Sequence, residues 1–523
     1  MDLATAFRWA TERYPQRRAV GGPAPLTYAA WDARTDRVGH ALHGLGAEEG
    51  SRAIFLLEGG EPLATLHLAA QKARITSLPL STRFGVDELA FCIADCEPAL
   101  IAVDGVTESL VAQALERVDK PPTVVWAGSA ADAPTGMASV QHLAERAPGT
   151  ALPVVPREDD ISVMLYTSGT TGKPKGVPRT HRAEHHAALA HLIQTGHAPG
   201  EVTLGVMPLF HTMGLRSLLA SVLAAGTWVP QATFDAEQTL DLITAEQISA
   251  LYLVPTIYWS LMQTGRLDEA TSLRKLAYAG AAMTPFLAQK LTEALAPERF
   301  VNHFGSTEIY TFTIGPDGAA KPGCAGRAGV FSRVRLVDPQ PDASPDQIVA
   351  AGEQGQVAVS MQSPEAFTGY WHRPDADQKA IRDGWYFTGD LATADEDGDL
   401  WVAGRVDDMI NSGGENIYPE EIENALAASP DLNEVIVVGT PHDKWGHAVT
   451  AFVVSAAGDT PDETLAKVGR FAREESGLPS MKRPKRIVVV DQIPKSAVGK
   501  ILRRQLTAGE YTALADSADG TGQ

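Results

Sequence analysis

Cysteine is scarce in this sequence of 523 residues, which contains only Cys92, Cys96 and Cys324. An odd number of cysteines without paired, metal-type spacing argues against both a disulfide framework and a cysteine-based zinc site. We therefore expect the three thiols to lie in the core of a cytoplasmic protein, in a reducing compartment.

Positive charge and long apolar runs are also in short supply. Lys and Arg number 44 against 64 Asp and Glu, which gives a formal net charge of -20. This balance argues against nucleic acid or an anionic membrane as a general partner, because either needs a broad basic face. The longest apolar stretches, such as residues 218–229, are shorter than a membrane span, and residues 1–10 lack a secretory signal pattern. We expect a soluble protein with neither partner.

The length and the alternating pattern of the chain predict several domains of the α/β class. A chain of 523 residues exceeds the size at which a single core stops growing. Helical periodicity alternates with short apolar runs along residues 29–103 and again along 203–303, as in parallel α/β sheets. From about residue 326 the pattern changes to strands and turns, which predicts an antiparallel or barrel-like subdomain.

A small α+β domain is predicted after a polar, turn-rich segment at residues 406–416. Pro419 followed by two glutamates has the pattern of a helix start, and apolar runs follow at 434–438, 448–454 and 486–490. The predicted architecture is a large N-terminal domain, 1–406, of two parallel α/β subdomains plus a β-rich subdomain, followed by a small C-terminal domain, 407–512. Residues 513–523 are small, polar and acidic, which predicts a disordered tail.

Residues 166–177 form the most informative stretch of the chain. They hold three glycines, four Ser or Thr hydroxyls and two lysines directly after a predicted buried strand at 161–166. Glycines at a strand end let backbone N–H groups turn toward an anion, so the stretch predicts a phosphate-binding loop. It is not a Walker A loop, because Lys173 is followed by Pro174 rather than Ser or Thr. An ordinary polar turn is the alternative.

Basic residues are concentrated near the end of this acidic chain. The cluster comprises Lys482, Arg483, Lys485, Arg486, Lys495, Lys500, Arg503 and Arg504. Local positive charge in an acidic protein suits a small bound polyanion. A solvated helix and strand surface is the alternative.

Six motifs in order resemble the acyl-CoA synthetase, non-ribosomal peptide adenylation domain and luciferase superfamily of adenylate-forming enzymes. They lie at residues 166–177, 208–214, 302–308, 384–390, 404–416 and 494–500. Residues 404–417 and 481–506 look most like aryl-carboxylate CoA ligases of the 4-chlorobenzoate type. The resemblance implies that ATP activates a carboxylate to an acyl-adenylate, and that a thiol then displaces AMP. ATP, Mg²⁺ and CoA are the implied cofactors.

The resemblance also implies a nucleotide site. Its residues are Thr167, Ser168, Gly169, Thr170, Thr171, Gly172, Lys173, Lys175, Gly280, Ala281, Ala282, Asn302, His303, Phe304, Gly305, Ser306, Thr307, Asp390, Arg405 and Lys500. In this set Thr307 reaches the α-phosphate, Asp390 accepts from the ribose hydroxyls and Phe304 offers a face to adenine where most members place Tyr. Glu308, a hard carboxylate at a predicted strand end, is the implied Mg²⁺ ligand.

The two half-reactions need different residues, according to the same resemblance. Lys500 stabilises charge during adenylation, and the C-terminal domain is mobile and rotates about a hinge at Asp407 before the thiol reacts. The implied CoA-binding residues are Ser412, Gly413, Gly414, Glu415, Trp445, Met481, Arg483 and Lys485. Met481 departs from the chlorobenzoate enzyme, which stacks an aromatic ring on the CoA adenine there.

The implied acyl pocket is rich in groups that form hydrogen bonds. It comprises His185, His211, Tyr278, Ala279, Gly280, His303, Gly305 and Tyr310, with His211 as the residue that gates it. A purely aliphatic chain would leave these groups unpaired if they are buried, so we expect a small ring-bearing acid with polar substituents.

Two other functions stay open at this point. A stand-alone adenylation enzyme would pass the acyl group to the pantetheine of a carrier protein instead of free CoA. A protein that binds acyl-adenylate or CoA and completes only one half-reaction, such as thioesterification, is the second alternative. A homodimer is also left open.

Overall fold

The computed structural model describes residues 1–167, 173–412, 415–442, 444–456, 458–495 and 501–517. The chain forms two compact units. The first comprises Met1–Val334, Val359–Tyr386 and Gly398–Leu400, and the second comprises Arg335–Ala358, Phe387–Asp397 and Trp401–Gln523. This division differs from the predicted cut after residue 406, because residues 335–358, 387–397 and 401–406 belong to the second unit. Rotation about Asp407 stays a prediction.

Helices and strands alternate along most of the chain. The helices are α1 (Leu3–Arg13), α2 (Tyr28–Gly44), α3 (Glu61–Lys72), α4 (Val86–Cys96), α5 (Glu108–Leu115), α6 (Val140–Arg146), α7 (His181–Thr195), α8 (Thr212–Leu223), α9 (Ala236–Glu246), α10 (Pro255–Gln263), α11 (Pro285–Leu295), α12 (Pro374–Ala380), α13 (Pro419–Leu426), α14 (Pro461–Glu474) and α15 (Arg503–Ala508). The strands are β1 (Arg18–Val20), β2 (Leu26–Thr27), β3 (Arg52–Leu56), β4 (Thr76–Pro79), β5 (Leu100–Val103), β6 (Thr123–Trp126), β7 (Ile161–Thr167), β8 (Lys175–Thr180), β9 (Val202–Gly205), β10 (Thr227–Pro230), β11 (Ala250–Leu253), β12 (Lys275–Ala279), β13 (Arg299–Phe304), β14 (Thr313–Ile314), β15 (Arg327–Ala328), β16 (Val334–Val337), β17 (Gly355–Ser360), β18 (Ile381–Arg382), β19 (Trp385–Ala394), β20 (Leu400–Arg405), β21 (Ile410–Ser412), β22 (Glu415–Ile417), β23 (Leu432–His442), β24 (Gly446–Ser455), β25 (Arg486–Val490) and β26 (Ala513–Asp516).

The first sheet of the first unit has the strand order β6-β5-β3-β4-β7-β8. Strands β3 to β7 pair in parallel, as continuous apolar strands covered by helices do. Strand β8 pairs with β7 in the antiparallel direction, and Lys175 lies opposite Thr167. The predicted phosphate loop therefore joins the two strands of a hairpin at the sheet edge.

The second sheet has the strand order β15-β14-β13-β12-β11-β9-β10-β1-β2. Its central strands are parallel, and Ala279 of β12 lies opposite His303 of β13. Their carboxyl ends consequently lie side by side, which is where ligands bind in open α/β sheets. The parallel α/β prediction for both stretches is confirmed.

Strands β16 to β20 occupy the segment predicted to be β-rich. Within the first unit, Ile381 pairs with Tyr386 in an antiparallel register. This segment contributes two buried tyrosines, Tyr370 and Tyr386, and the Tyr370 hydroxyl donates to the Glu308 carboxylate.

The second unit contains a sheet in the order β22-β21-β24-β25-β26, and β23 pairs with β24. Helices α13 and α14 contribute apolar residues to the same core as this sheet, as predicted for an α+β domain. The prediction of a disordered tail is wrong for Ala513–Asp516, because this segment is the edge strand β26. Its Asp516 carboxylate pairs with the Arg486 guanidinium, a partner that composition does not reveal. Residues 518–523 lie outside the described part of the chain.

All three cysteines are buried thiols, as expected. Among the residues that the structure describes, no helix is both long and apolar enough to cross a membrane.

Candidate active site

The base of the predicted phosphate loop is formed by the ends of β7 and β8. Lys173 is exposed, with its Nζ 5.4 Å from the ring centroid of Phe91, and the Lys175 Nζ lies 4.1 Å from the ring centroid of Tyr370. Five predicted ligands of this loop lie outside the described residues: Ser168, Gly169, Thr170, Thr171 and Gly172. The hairpin brings both lysines to the same sheet edge.

A tight turn after β13 presents the predicted metal ligand. The Ser306 N–H donates to the Ile309 carbonyl at 3.0 Å and closes the turn. A Cβ atom on Gly305 would lie 2.1 Å from the Tyr310 carbonyl oxygen, so any larger residue there would force the turn open. Thr307 and Ser306 are half-buried in this turn.

Glu308 is buried in the turn and held by a tyrosine. The Tyr370 hydroxyl donates to its Oε1 at 2.6 Å, and this is the one hydrogen bond that the Glu308 carboxylate accepts from the described residues. Burial and then the Glu308 charge raise the pKa of Tyr370, which keeps the hydroxyl a donor. A hard carboxylate with one oxygen anchored and the other available fits Mg²⁺, which takes one or two protein carboxylates beside phosphates and water.

The predicted adenine residues separate into two groups. Gly280, which has a φ of 86°, and the two alanines after it are exposed at the end of β12, and Phe304 is half-buried at the end of β13. Asn302 instead is buried, and its Nδ2 donates to the Cys324 carbonyl at 3.0 Å. Gly280, Ala281, Ala282 and Phe304 are thus placed at the strand ends, whereas Asn302 braces the sheet.

His211 ends the loop that connects β9 to α8 and occupies the N-cap of α8. Its Nδ1 accepts the Met213 N–H at 3.4 Å. A Cβ atom on Gly214 would lie 2.2 Å from the Pro208 carbonyl oxygen, so the helix start can pack here only with glycine. His185 lies on α7, and burial lowers the pKa of its imidazole to about 4. The imidazole is therefore neutral at physiological pH.

Four residues of the predicted acyl pocket are buried within the first unit. Tyr278 packs its ring 5.7 Å from Phe300, and Ala279 beside it is also buried. His303 lies 3.3 Å from the Arg216 guanidinium and stacks on His191 at 5.2 Å. The Tyr310 ring centroid lies 3.6 Å from the guanidinium carbon of Arg179 and 5.2 Å from that of Arg216. His303 and Tyr310 thus share Arg216, which sequence reasoning missed.

Asp390 and Arg405 are brought together in the second unit. The Arg405 Nη1 donates to the Asp390 Oδ1 at 2.7 Å, and its Nη2 donates to the Thr388 carbonyl at 3.2 Å. The two predicted ribose and phosphate residues therefore form one ion-paired group. Asp407, the predicted hinge, is exposed in the short 3₁₀ turn Val406–Asp408.

Several predicted CoA residues also lie in the second unit. Trp445 stacks on His442 with ring centroids 4.3 Å apart, and the Lys485 Nζ lies 5.8 Å from the Trp445 ring. Met481 is exposed, whereas the Arg483 Nε is held by the Leu478 carbonyl at 2.9 Å. Ser412 lies opposite Gly446, beside the Trp445 turn. Gly413, Gly414, the Glu415 side chain and Lys500 lie outside the described part of the structure.

Glu420 is a buried carboxyl in the same unit. Its Oε1 accepts from the Arg503 guanidinium at 3.3 Å, yet burial dominates and raises its pKa to about 7, from 4.5 in the unfolded chain. The folded state therefore holds this proton more tightly than the unfolded chain does. The stabilisation of the folded state that comes from this tighter proton binding is fully present below about pH 4.5, and it is lost as pH rises through about 7.

Glu420→Gln is expected to flatten the pH dependence of stability across this window. Glutamine cannot ionise, so the free energy of unfolding should fall less between about pH 5 and about pH 8 than in the wild type. Urea denaturation at both pH values measures it. The control is Glu421→Gln, whose exposed carboxylate pairs with Lys482. Equal pH slopes for Glu420→Gln and wild type would contradict the assignment.

Comparisons with known proteins cover nearly the whole chain. Residues 7–371 match the family model described as AMP-binding enzyme, and residues 421–500 match that of the AMP-binding enzyme C-terminal domain. A feruloyl-CoA synthase from an Amycolatopsis species is 34% identical over 516 residues, which cover 94% of this chain and 96% of that protein. A 4-chlorobenzoate–CoA ligase from an Arthrobacter species is 35% identical over 368 residues, 69% of each chain.

Solved structures show the same likeness. The ATP-bound MatB from Rhodopseudomonas palustris superposes with a TM-score of 0.86 at 29% identity, and the match covers 97% of this chain and 99% of that one. The o-succinylbenzoate CoA synthetase from Bacillus subtilis, in complex with its acyl-adenylate intermediate, superposes with a TM-score of 0.83 at 25% identity over 96% of this chain and 97% of that one.

Proposed function

Because the chain belongs to the AMP-binding enzyme family and is an ATP-dependent acid–CoA ligase that works through an acyl-adenylate, we propose that its acid is a ring-bearing, polar-substituted carboxylate. The proposed substrate class rests on three buried polar side chains that contact one another, which we call the buried polar group: His303, His191 and Arg216. The His303 Nε2 and the His191 Nδ1 are buried with no hydrogen-bond partner among the described residues. A polar substituent can pair with such groups, whereas an aliphatic chain cannot.

In the first half-reaction a carboxylate oxygen attacks the α-phosphorus of ATP, and the bond to pyrophosphate breaks. Lys175 and the loop before it hold the phosphates, and Thr307 donates to the α-phosphate. Glu308 would hold Mg²⁺, which when bound would supply positive charge beside the phosphates. The Asp390 carboxylate accepts from the ribose hydroxyls, and Lys500 stabilises the charge that develops as the new bond forms.

In the second half-reaction the CoA thiol loses its proton to solvent and its sulfur attacks the acyl carbonyl carbon, and the bond to AMP breaks. We assign the pantetheine arm to the end of β21 at Ser412 and to Trp445, where Gly446 leaves room for a narrow chain. Lys485 carries positive charge beside Trp445, and together with Arg483 it suits the CoA phosphates. Rotation about Asp407 exchanges Lys500 for this set between the steps.

A panel of acids tests the substrate class. The purified protein is incubated with ATP, Mg²⁺ and CoA, and acyl-CoA is followed by mass spectrometry for hydroxy- or amino-substituted aryl acids, their unsubstituted counterparts and fatty acids. A substituent that pairs with the buried polar group should raise kcat/KM about 10-fold or more over the unsubstituted acid. Higher kcat/KM for fatty acids would contradict the proposed class.

The same panel without CoA separates the acceptors. Acyl-CoA from an aryl acid supports free CoA as the thiol. Acyl-adenylate that accumulates without thioester when CoA is added would instead favour a carrier protein.

A further inference from the structure

Arg179 is a wholly buried cation on β8, the strand that follows the phosphate loop. None of the sequence motifs selects it. Its Nη1 donates to three backbone carbonyls, those of Thr307 and Glu308 at 3.1 Å each and that of Glu365 at 2.9 Å. One guanidinium nitrogen therefore holds the backbone of both residues to which the nucleotide and metal contacts are assigned.

The rest of the guanidinium is fixed from two other directions. The Arg179 Nε donates to the carboxylate of Glu184, which is also buried. The Tyr310 ring lies 3.6 Å from the guanidinium carbon and closes its face. A planar fork that is held at its Nη1 and Nε and covered on one face has little freedom to rotate, so the carbonyls that it binds are fixed as well.

Residues 367–371 form a strap that joins the Glu308 turn to the phosphate-loop hairpin. The Phe367 N–H donates to the Glu308 carbonyl at 2.8 Å, and the Trp371 N–H donates to the Gly176 carbonyl of β8 at 2.9 Å. Tyr370, between them in sequence, binds the Glu308 carboxylate. The strap and Arg179 therefore connect the phosphate-loop hairpin to the Glu308 turn at both backbone and side chain.

We propose that Arg179 is a positioning residue for adenylation, which holds Thr307 and Glu308 in register with the phosphate-loop hairpin. The inference rests on the proposed roles of Thr307 and Glu308. Phosphoryl transfer depends on placing the phosphates and the metal together, and a shift of about 1 Å costs about 10²-fold in rate. A buried cation that spans the two ligand-bearing segments prevents that shift.

The test removes the three carbonyl bonds without leaving a buried charge. Arg179→Met alone would strand Glu184, so the variant is the double Arg179→Met/Glu184→Gln, which is neutral at both positions. The matched control is Glu184→Gln alone, whose side-chain oxygen can still accept from the Arg179 Nε and so leaves the guanidinium on its carbonyls. Arg179→Lys is a second variant, because one ammonium keeps the charge but cannot reproduce the planar fork.

Two measurements distinguish positioning from general stability. The first is Mn²⁺ binding in the presence of a nonhydrolysable ATP analogue, followed by electron paramagnetic resonance. The second compares pyrophosphate release with thioester formation from supplied acyl-adenylate. In the double variant and in Arg179→Lys, we expect Mn²⁺ affinity to fall about 10-fold and kcat for pyrophosphate release to fall about 10²-fold. Thioester formation should fall much less, because the metal role of Glu308 belongs to the first half-reaction, and the Glu184→Gln control should stay close to wild type in both.

Other results would overturn the proposal. Wild-type Mn²⁺ affinity in both Arg179 variants would mean that Arg179 does not position the turn, and equal losses in both half-reactions would mean a purely structural role. Absence of nucleotide-dependent Mn²⁺ binding in the wild type would instead refute the metal role of Glu308, which is a failure of the proposed function.

Discussion

Glu308→Gln is expected to lower the rate of acyl-adenylate formation about 10²- to 10³-fold, the cost of removing one electrostatic group at a transition state. Glutamine has nearly the same shape and keeps an oxygen for the Tyr370 hydroxyl, so the turn should remain folded. It removes the negative charge that we assign to Mg²⁺. Pyrophosphate release at increasing Mg²⁺ concentration measures the effect, and saturating Mg²⁺ should recover only part of the rate.

Tyr370→Phe is the matched control for this variant. It removes the hydrogen bond to the Glu308 Oε1 but leaves the carboxylate charge in place. We expect a much smaller loss, because the charge and not its anchor carries the metal interaction. A Glu308→Gln rate close to wild type at every Mg²⁺ concentration would exclude this carboxylate from the reaction.

Lys500→Ala is expected to separate the two half-reactions. Loss of a positive charge at the reacting centre should lower acyl-adenylate formation about 10²- to 10³-fold. Thioester formation from supplied acyl-adenylate should be retained, because Lys500 acts only in the first step of the proposed mechanism. Mass spectrometry of AMP, pyrophosphate, acyl-adenylate and acyl-CoA follows both reactions.

Lys495→Ala is the control for this second prediction. Lys495 lies in the same basic stretch, and its ammonium pairs with the exposed Glu434 carboxylate. Its loss removes one positive charge but should leave both half-reactions near the wild-type rates. Equal losses in the two half-reactions of Lys500→Ala would contradict a role confined to adenylation.

Local patterns in the sequence determined most of the fold. Apolar runs and helical periodicity predicted strands such as β12 and β13, because side-chain burial follows the periods of 2 and 3.6 residues. The glycine and hydroxyl content of residues 166–177 likewise predicted a phosphate loop, and the ends of β7 and β8 place it at a sheet edge. The ordered motifs then indicated the family, which the comparisons confirm.

The order of residues 513–516 shows where a prediction from composition was wrong. Ala513–Asp516 has the small, acidic composition of a disordered segment, yet it pairs with β25. Its ordering depends on an open strand edge and on Arg486, which is 30 positions away from Asp516. Composition alone cannot report such a distant partner.

Only the tertiary structure identifies the residues that hold the Glu308 turn in place. Arg179 and Tyr370 contact the Glu308 turn from positions 129 and 62 residues away, and neither belongs to a motif. Burial likewise separated Asn302, which braces the sheet, from Phe304 at the strand end. Sequence spacing identifies residues that act together on a ligand, because those residues recur as short motifs at strand ends. The residues that hold them in place are brought together by the packing of distant segments, and only the folded chain reveals which ones meet.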